Sequence, residues 1–356
     1  MKLLKNRKVL ILLIAFVLSL ILIAVDAVIY SGLSDMVKTQ GAAEKFRGTS
    51  KLAFGQVTAF YKAGVTGSED DIYSFRAALD TEYVNASLET PKNGSLYKDA
   101  YSMTSTVDAK GLRGTANLEA VGIGGDWFFF HPLKLRSGSY LNGTDLMKDV
   151  VILDEAAAWR LFGGYELTGM TMEIGEKRFT IAGVVEREKD EASMAAYSGE
   201  PGIFMHYSAL SEMLGGGEES DFSQSGWITE YEVVGADPIK GFLKNVVENN
   251  FPSAVVVNNT DRFAPGNILK LAKNSGTRSM IKEAVAFPYW ENAARYVEDK
   301  LFVLISFLLL VSFFPIVCVV ITAVKLISKG LKTLKEKIPE YRERALERRS
   351  ERKAGR

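Results

Sequence analysis

Two long apolar runs stand near the ends of a chain whose interior alternates apolar and polar positions on much shorter periods. Residues 9–25 are apolar except for Ser19; Asp26 interrupts the run and 27–30 resume it. A helix over 9–30 would span about 33 Å, enough for a hydrocarbon core of about 30 Å. Lys2, Lys5, Arg7 and Lys8 precede it, which places that end on the cytoplasmic side. A cleaved signal peptide is the rival reading, but the run is long for one and lacks a clear Ala-x-Ala site. The second run, 301–324, is interrupted only by Ser306, Ser312, Pro315 and Thr322. It would span about 36 Å, with a kink expected at Pro315. Lys325, Lys329, Lys332, Lys335 and Lys337 follow it. Basic flanks on both runs predict transmembrane helices at 9–30 and 301–324. Residues 1–8 and 325–356 are then cytoplasmic and 31–300 extracytoplasmic.

Between the spans, two strand–helix–strand units stand out. In the first, 52–61 is rich in β-formers. Ser68 with Asp71 forms a near capping box, Ile72, Phe75 and Leu79 make one helix face, and a strand around 101–107 closes the unit. In the second, Trp227, Thr229, Tyr231 and Val233 alternate with Ile228, Glu230 and Glu232, a strand period. Asp237-Pro238 reads as a cap with a first-turn proline. Ile239, Phe242, Leu243, Val246 and Val247 fall at helical spacing, and 254–257 reads as the next strand. The stretch between the units is mostly β. It has strands at 113–123 and 150–153, a short helix at 155–162 carrying Ala157, Trp159 and Leu161 and stopped by Gly163-Gly164, and a hairpin turning at Gly175-Glu176. Residues 215–221 form an acidic, glycine-rich loop, and 267–300 reads as helical with a break at Pro288. The expected fold class is α+β: two transmembrane helices flank a large external domain made of a duplicated βαβ subdomain (31–124 and 225–300) with a β-rich insertion (125–224).

Charge sharpens the topology. The 43 Lys and Arg match 43 Asp and Glu, yet the zero is a cancellation. Residues 1–8 carry +4, the tail from Lys325 has 12 basic against 5 acidic residues, and the remainder carries −11. An acidic external region argues against nucleic acid, whose binding needs an excess of cations. Two His and one Cys, Cys318 inside the second span, leave no Cys/His metal set and no disulfide.

The search for chemistry finds no catalytic residue, cofactor site or metal site. Ser95 with Lys98 and Ser279 with Lys282 match an acyl-serine spacing but lack the Lys-Thr-Gly and Ser-x-Asn partners. His131 and His206 are the only imidazoles and sit in hydrophobic runs without a Gly-x-Ser-x-Gly elbow. Glu186, Glu188, Asp190 and Glu191 alternate with Arg187 and Lys189, which fits a solvated loop better than a cation site. Asn85, Asn93, Asn142 and Asn258 head sequons, a number near chance. Ala15 and Ser19 make a weak small-xxx-small pair. In the tail, Leu331, Leu334 and Ile338 form an apolar stripe among lysines, open to anionic lipid or to a partner protein.

Gly125-Asp126-Trp127-Phe128, Arg160-Leu161-Phe162-Gly163 and Phe179 to Val185 follow one another within 125–210, and in that order the segment resembles the extracytoplasmic core domain of MacB-like ABC transporter permeases. Gly125-Asp126-Trp127-Phe128 is similar to the family's Gly-Asp-aromatic-Phe. Leu133, Leu135 and Gly138 are similar to its Leu-rich run, although Ser139 stands where the family has Arg. Arg160-Leu161-Phe162-Gly163 closes a similar strand and helix. Gly169, Ile174, Gly175 and 179–185 resemble its hairpin, and Phe204, Tyr207, Ser208 and Leu210 its closing segment. The resemblance implies a duplicated βαβ subdomain with an inserted one. It also exposes departures: the family carries three spans after the external domain, here one is seen, and no Gly-x-x-x-x-Gly-Lys-Ser/Thr loop occurs.

The expectation is a non-enzymatic membrane subunit of an ABC transport or mechanotransmission complex. Its partners would be a separate ABC ATPase, permease subunits and the lipid bilayer, with anionic lipid possible at the tail. A two-span scaffold or sensor binding an external protein, lipid or cell-wall ligand is the alternative. An external hydrolase would require His131 or His206.

Overall fold

The computed structural model describes residues 7–89, 94–143, 145–197, 199, 202–215, 227–274 and 285–354. It separates into two units, Met1–Gly32 with Val303–Arg356, and Leu33–Phe302.

The first unit holds most of α1 (Arg7–Ser34) and of the last helix, Tyr289–Ala354. Each contains a stretch long and apolar enough to cross a membrane, Val9–Ser34 and Tyr289–Pro339. Their apolar side chains are largely bare, as at Val28, Leu310 and Phe313. So much exposed hydrocarbon fits lipid rather than water. The second helix is far longer than the expected span and runs on through both Pro315 and Pro339.

The second unit is built on one sheet. After α2 (Ala42–Arg47), β1 (Phe54–Tyr61) leads to α3 (Glu69–Asn85). The Ser68 hydroxyl accepts from the Asp71 N–H while the Asp71 carboxylate accepts from the Ser68 N–H, so the capping box forms as the sequence predicts. β2 (Tyr97–Gly111) and β3 (Gly114–Gly125) make a long hairpin, more extended than the sequence suggests. Gly125 has φ +67°, and a Cβ there would lie 2.5 Å from the Asp99 carbonyl; only glycine lets the strand turn into α4 (Trp127–Phe130). β4 (Leu135–Gly138), β5 (Val150–Asp154) and α5 (Glu155–Phe162) follow. The Asp154 carboxylate accepts from the Ala157 and Gly202 N–H groups, and Gly163 closes α5 in the left-handed region. Of the predicted apolar face, Ala157 and Leu161 are buried, but Trp159 is 55% exposed. β6 (Thr171–Ile174) and β7 (Lys177–Val185) pair around the expected Gly175-Glu176 turn. α6 (Glu191–Ala196), β8 (Gly202–His206), α7 (Tyr207–Leu214), β9 (Glu230–Ala236), α8 (Phe242–Asn250), β10 (Ala254–Asn258), α9 (Pro265–Leu271) and α10 (Tyr289–Ala354) complete the order.

The sheet runs β10-β1-β9-β2-β3-β8-β5-β7-β4, with β6 bridging β2 and β7. Pairing is antiparallel except at β3–β8 and β5–β7. The four strands of the two strand–helix–strand units occupy the first four places and interleave, β10-β1-β9-β2. One face carries α3, α5, α7 and α8 over Val57, Leu118, Ile181, Tyr231 and Val233. The other gathers α2, α4 and Trp290 over Ala100, Val121, Ile152 and Val234.

Two details differ from expectation. α8 begins at Phe242, not at Pro238. Asp237 still caps it, but across an extra turn, accepting from the N–H groups of Gly241 and Leu243. All seven residues of β9 are buried, Glu230 and Glu232 included, because the face that alternation assigns to water is covered by α4 and the start of α10.

Candidate functional site

The covered face holds a polar group. Residues two apart on β9 point the same way, so Glu230 and Glu232 lie side by side. The Trp290 indole N–H donates to Glu230 Oε1 at 2.8 Å, and the Ser102 hydroxyl donates to Oε2 at 2.9 Å. His131 Nε2 lies 2.6 Å from Glu232 Oε1. The His131 ring is stacked on Trp127 at 4.1 Å and packs edge-on against Trp290 at 4.7 Å. Burial pushes the Glu232 carboxyl up to about 8. Burial and the neighbouring Glu232 raise Glu230 well above the carboxylate range, and burial lowers His131 to about 4. A charge here lacks water to stabilise it. Glu188 extends the group. It receives hydrogen bonds from the Tyr197 and Tyr289 hydroxyls, and burial raises its carboxyl too.

Beside it lies a buried ion cluster. Arg262, in the loop between β10 and α9, grips Glu291 with two bonds, Nη1 to Oε2 at 2.6 Å and Nη2 to Oε1 at 2.9 Å. Its Nε donates to Glu298 Oε1 at 2.8 Å, and Nη1 also reaches Asn259 and Gln40 at 3.3 Å. Arg295 Nε adds a 2.7 Å bond to Glu291. Burial opposes a charge on Glu291, yet Arg262 and Arg295 outweigh it and hold the carboxyl below its ordinary range. Gln56 on β1 donates to the Thr39 carbonyl at 2.7 Å and accepts from the Ala42 N–H at 3.0 Å. The stretch after α1 (Thr39, Gln40, Ala42) and the first turns of α10 (Glu291, Glu298) are thus fastened to the same strand ends.

The residues singled out from sequence lie elsewhere or are already engaged. Ser95 Oγ accepts from the Tyr97 N–H and Lys98 pairs with Asp126 at 2.6 Å. Ser279 and Lys282, Asn93, Lys2 and Lys5, and the loop 216–221 lie outside the described residues. Both histidines are buried, and His206 Nε2 lies 3.7 Å from Asp145. The acidic run disperses: Glu186 pairs with Lys134, Glu188 is half-buried against two tyrosines, Asp190 caps α6, and Glu191 meets Tyr296 and Lys300. Glu188 is half-buried in a stretch that the sequence reads as a solvated loop, while Lys189 and Glu191 are exposed. The sequence reading missed Arg262, Glu291, Glu298, Glu230 and Glu232. The seven-residue spacing of Glu291 and Glu298, two turns on one helix face, was the available signal.

The chain thus has a mixed helix-and-sheet domain and, at either side of it in sequence, a helix long and apolar enough to cross a membrane. Residues 10–240 match the MacB-like periplasmic core domain, and the chain belongs to that family. Among solved structures, it is similar to the periplasmic region of MacB from Actinobacillus actinomycetemcomitans. The two are 17% identical over 62% of this chain and 92% of that one, with a TM-score of 0.43. It is also similar to the extracellular domain of the noncanonic ABC-type transporter YknZ from Gram-positive bacteria. There the identity is 15% over 65% of this chain and 100% of that one, with a TM-score of 0.39. No curated protein matches the chain.

Proposed function

We propose that the chain is a non-catalytic membrane subunit of an ABC transport or mechanotransmission complex, driven by an ATPase on a separate chain. The observation that carries this reading is the Arg262 cluster. A guanidinium buried among Glu291, Glu298, Asn259 and Gln40 ties the start of α10 to the sheet where the chain leaves α1. A helix fixed at its first turns by a rigid, charge-assisted fork can pass a displacement to the sheet. The basic flanks of both spans support cytoplasmic termini and an extracytoplasmic sheet domain. The division of that domain into a repeated part (31–124 and 225–300) and an inserted part (125–224) belongs to the same proposal, supported by the interleaved order β10-β1-β9-β2. The external domain would contact substrate or a partner, and the lysine-rich end of α10 would meet the ATPase or anionic lipid. Cross-linking in native membranes, purification through the chain and identification of its neighbours tests this. An ABC ATPase among them is the expected result. Its absence across growth conditions would leave the chain as a two-span scaffold.

A further inference from the structure

We propose that Glu230, Glu232 and His131 form a proton-operated clasp that holds the Tyr289–Trp290 turn of α10 against the sheet and loosens it when a proton leaves. The turn is fastened by two aromatic donors: the Trp290 indole to Glu230, and the Tyr289 hydroxyl to Glu188. Every titratable group facing the clasp is identifiable. β9 supplies Glu230 and Glu232, the residue after α4 is His131, the 186–190 loop supplies Glu188, and Tyr197 follows α6. α10 supplies Tyr289 and Glu291, the last neutralised by Arg262 and Arg295. Among the described residues no Lys or Arg bonds to Glu230 or Glu232, whose partners are Ser102, Trp290, His131 and each other. His131 is itself boxed by Trp127 and Trp290, and its Nδ1 has no hydrogen-bond partner among the described residues.

A neutral clasp therefore carries protons on its carboxyls and none to spare on its imidazole. When one carboxyl loses its proton, an anion appears in a buried site where no Lys or Arg among the described residues bonds to it. Separation of the turn from the sheet admits water and relieves it.

Linkage sets the size of the effect. Opening returns Glu232 from about 8 to its ordinary 4.5, so it releases a proton and is favoured about tenfold per pH unit between those values. Opening also returns His131 from about 4 to 6.5, which takes up a proton and offsets the trend below pH 6.5. The uncompensated window is pH 6.5 to 8.

The test is hydrogen exchange by mass spectrometry on the full chain in lipid nanodiscs, with protection factors corrected for the intrinsic pH dependence of exchange. Peptides covering 287–300 should lose protection by at least about tenfold between pH 6.5 and 8, while α3 peptides hold theirs. Glu232→Gln, which keeps the shape of the protonated acid, should make the profile shallower, and Glu230→Gln together with Glu232→Gln should flatten it. Constant protection at 287–300 in the wild-type chain would overturn the proposal, whether or not the variant folds. An equal loss in α3, which would mark global unfolding, would overturn it too. This test measures the chain alone, so it stands or falls independently of the transport reading.

Discussion

Replacing Arg262 with methionine separates a structural bolt from a decorative ion pair. The guanidinium is 5% exposed, and its partners Glu291 and Glu298 are 2% and 11% exposed at the side chain. Removing one member of a buried pair strands the opposite charge, at about 3–5 kcal/mol. Arg295 stays bonded to Glu291 at 2.7 Å, so the lower end, about 3 kcal/mol, applies. For a unit of this size that corresponds to a drop in Tm of about 6–12 °C. Arg262→Lys keeps the charge but cannot fork across two carboxylates, and should fall between the two. The triple variant Arg262→Met, Glu291→Leu, Glu298→Met removes all three charges and should melt within a few degrees of wild type. The assay is thermal unfolding of the full chain in nanodiscs, followed by tryptophan fluorescence. An Arg262→Met chain melting within 2 °C of wild type would refute the reasoning, as would a triple variant no more stable than the single one.

Further outcomes follow from the same geometry. Glu232 is raised and His131 lowered, so stability from the protonated carboxyl is complete below pH 4.5 and lost as pH rises toward 8. Stability from the neutral imidazole is complete above 6.5 and lost as pH falls toward 4. The carboxyl should therefore lower stability by about 1.4 kcal/mol per pH unit from 6.5 to 8. Glu232→Gln should reduce that slope, and replacing Glu230 by Gln as well should remove it, read as Tm against pH. Asp154→Ala deletes the cap of α5 and strands the Gly202 N–H, both bonded to a buried carboxylate. A loss of about 2 kcal/mol in chemical denaturation is expected. Gly125→Ala drives a Cβ to 2.5 Å from the Asp99 carbonyl at φ +67°, and should lower Tm more than Gly164→Ala, where a Cβ meets nothing within 4 Å. Ser68→Ala opens an exposed capping box and should cost about 1 kcal/mol by the same denaturation.

What was legible in the sequence was local. A 22-residue apolar run, the Ser68–Asp71 pair and the Gly175-Glu176 turn act within one element, and the structure keeps each. The family was legible too, through turn glycines and core positions spread over 125–210. The polar groups were not, because their partners come from afar. His131 meets Glu232 across 101 residues, Trp290 meets Glu230 across 60, and Arg262 meets Gln40 across 222. Alternation put Glu230 and Glu232 on a solvent face, and only the tertiary arrangement of α4 and α10 covers it. The α8 boundary slipped because Asp237 caps through an extra turn, a geometry that Asp-Pro does not encode.

The central claim is that ATPase motion reaches the sheet domain through the fastened start of α10. It is tested by the rate of ATP hydrolysis of the complex purified from native membranes, comparing wild type with the charge-free Arg262→Met, Glu291→Leu, Glu298→Met chain. The variant is expected to remain folded and bound while the rate shifts by several-fold, because the domain no longer loads the helix. Equal rates from equally assembled complexes would contradict the account.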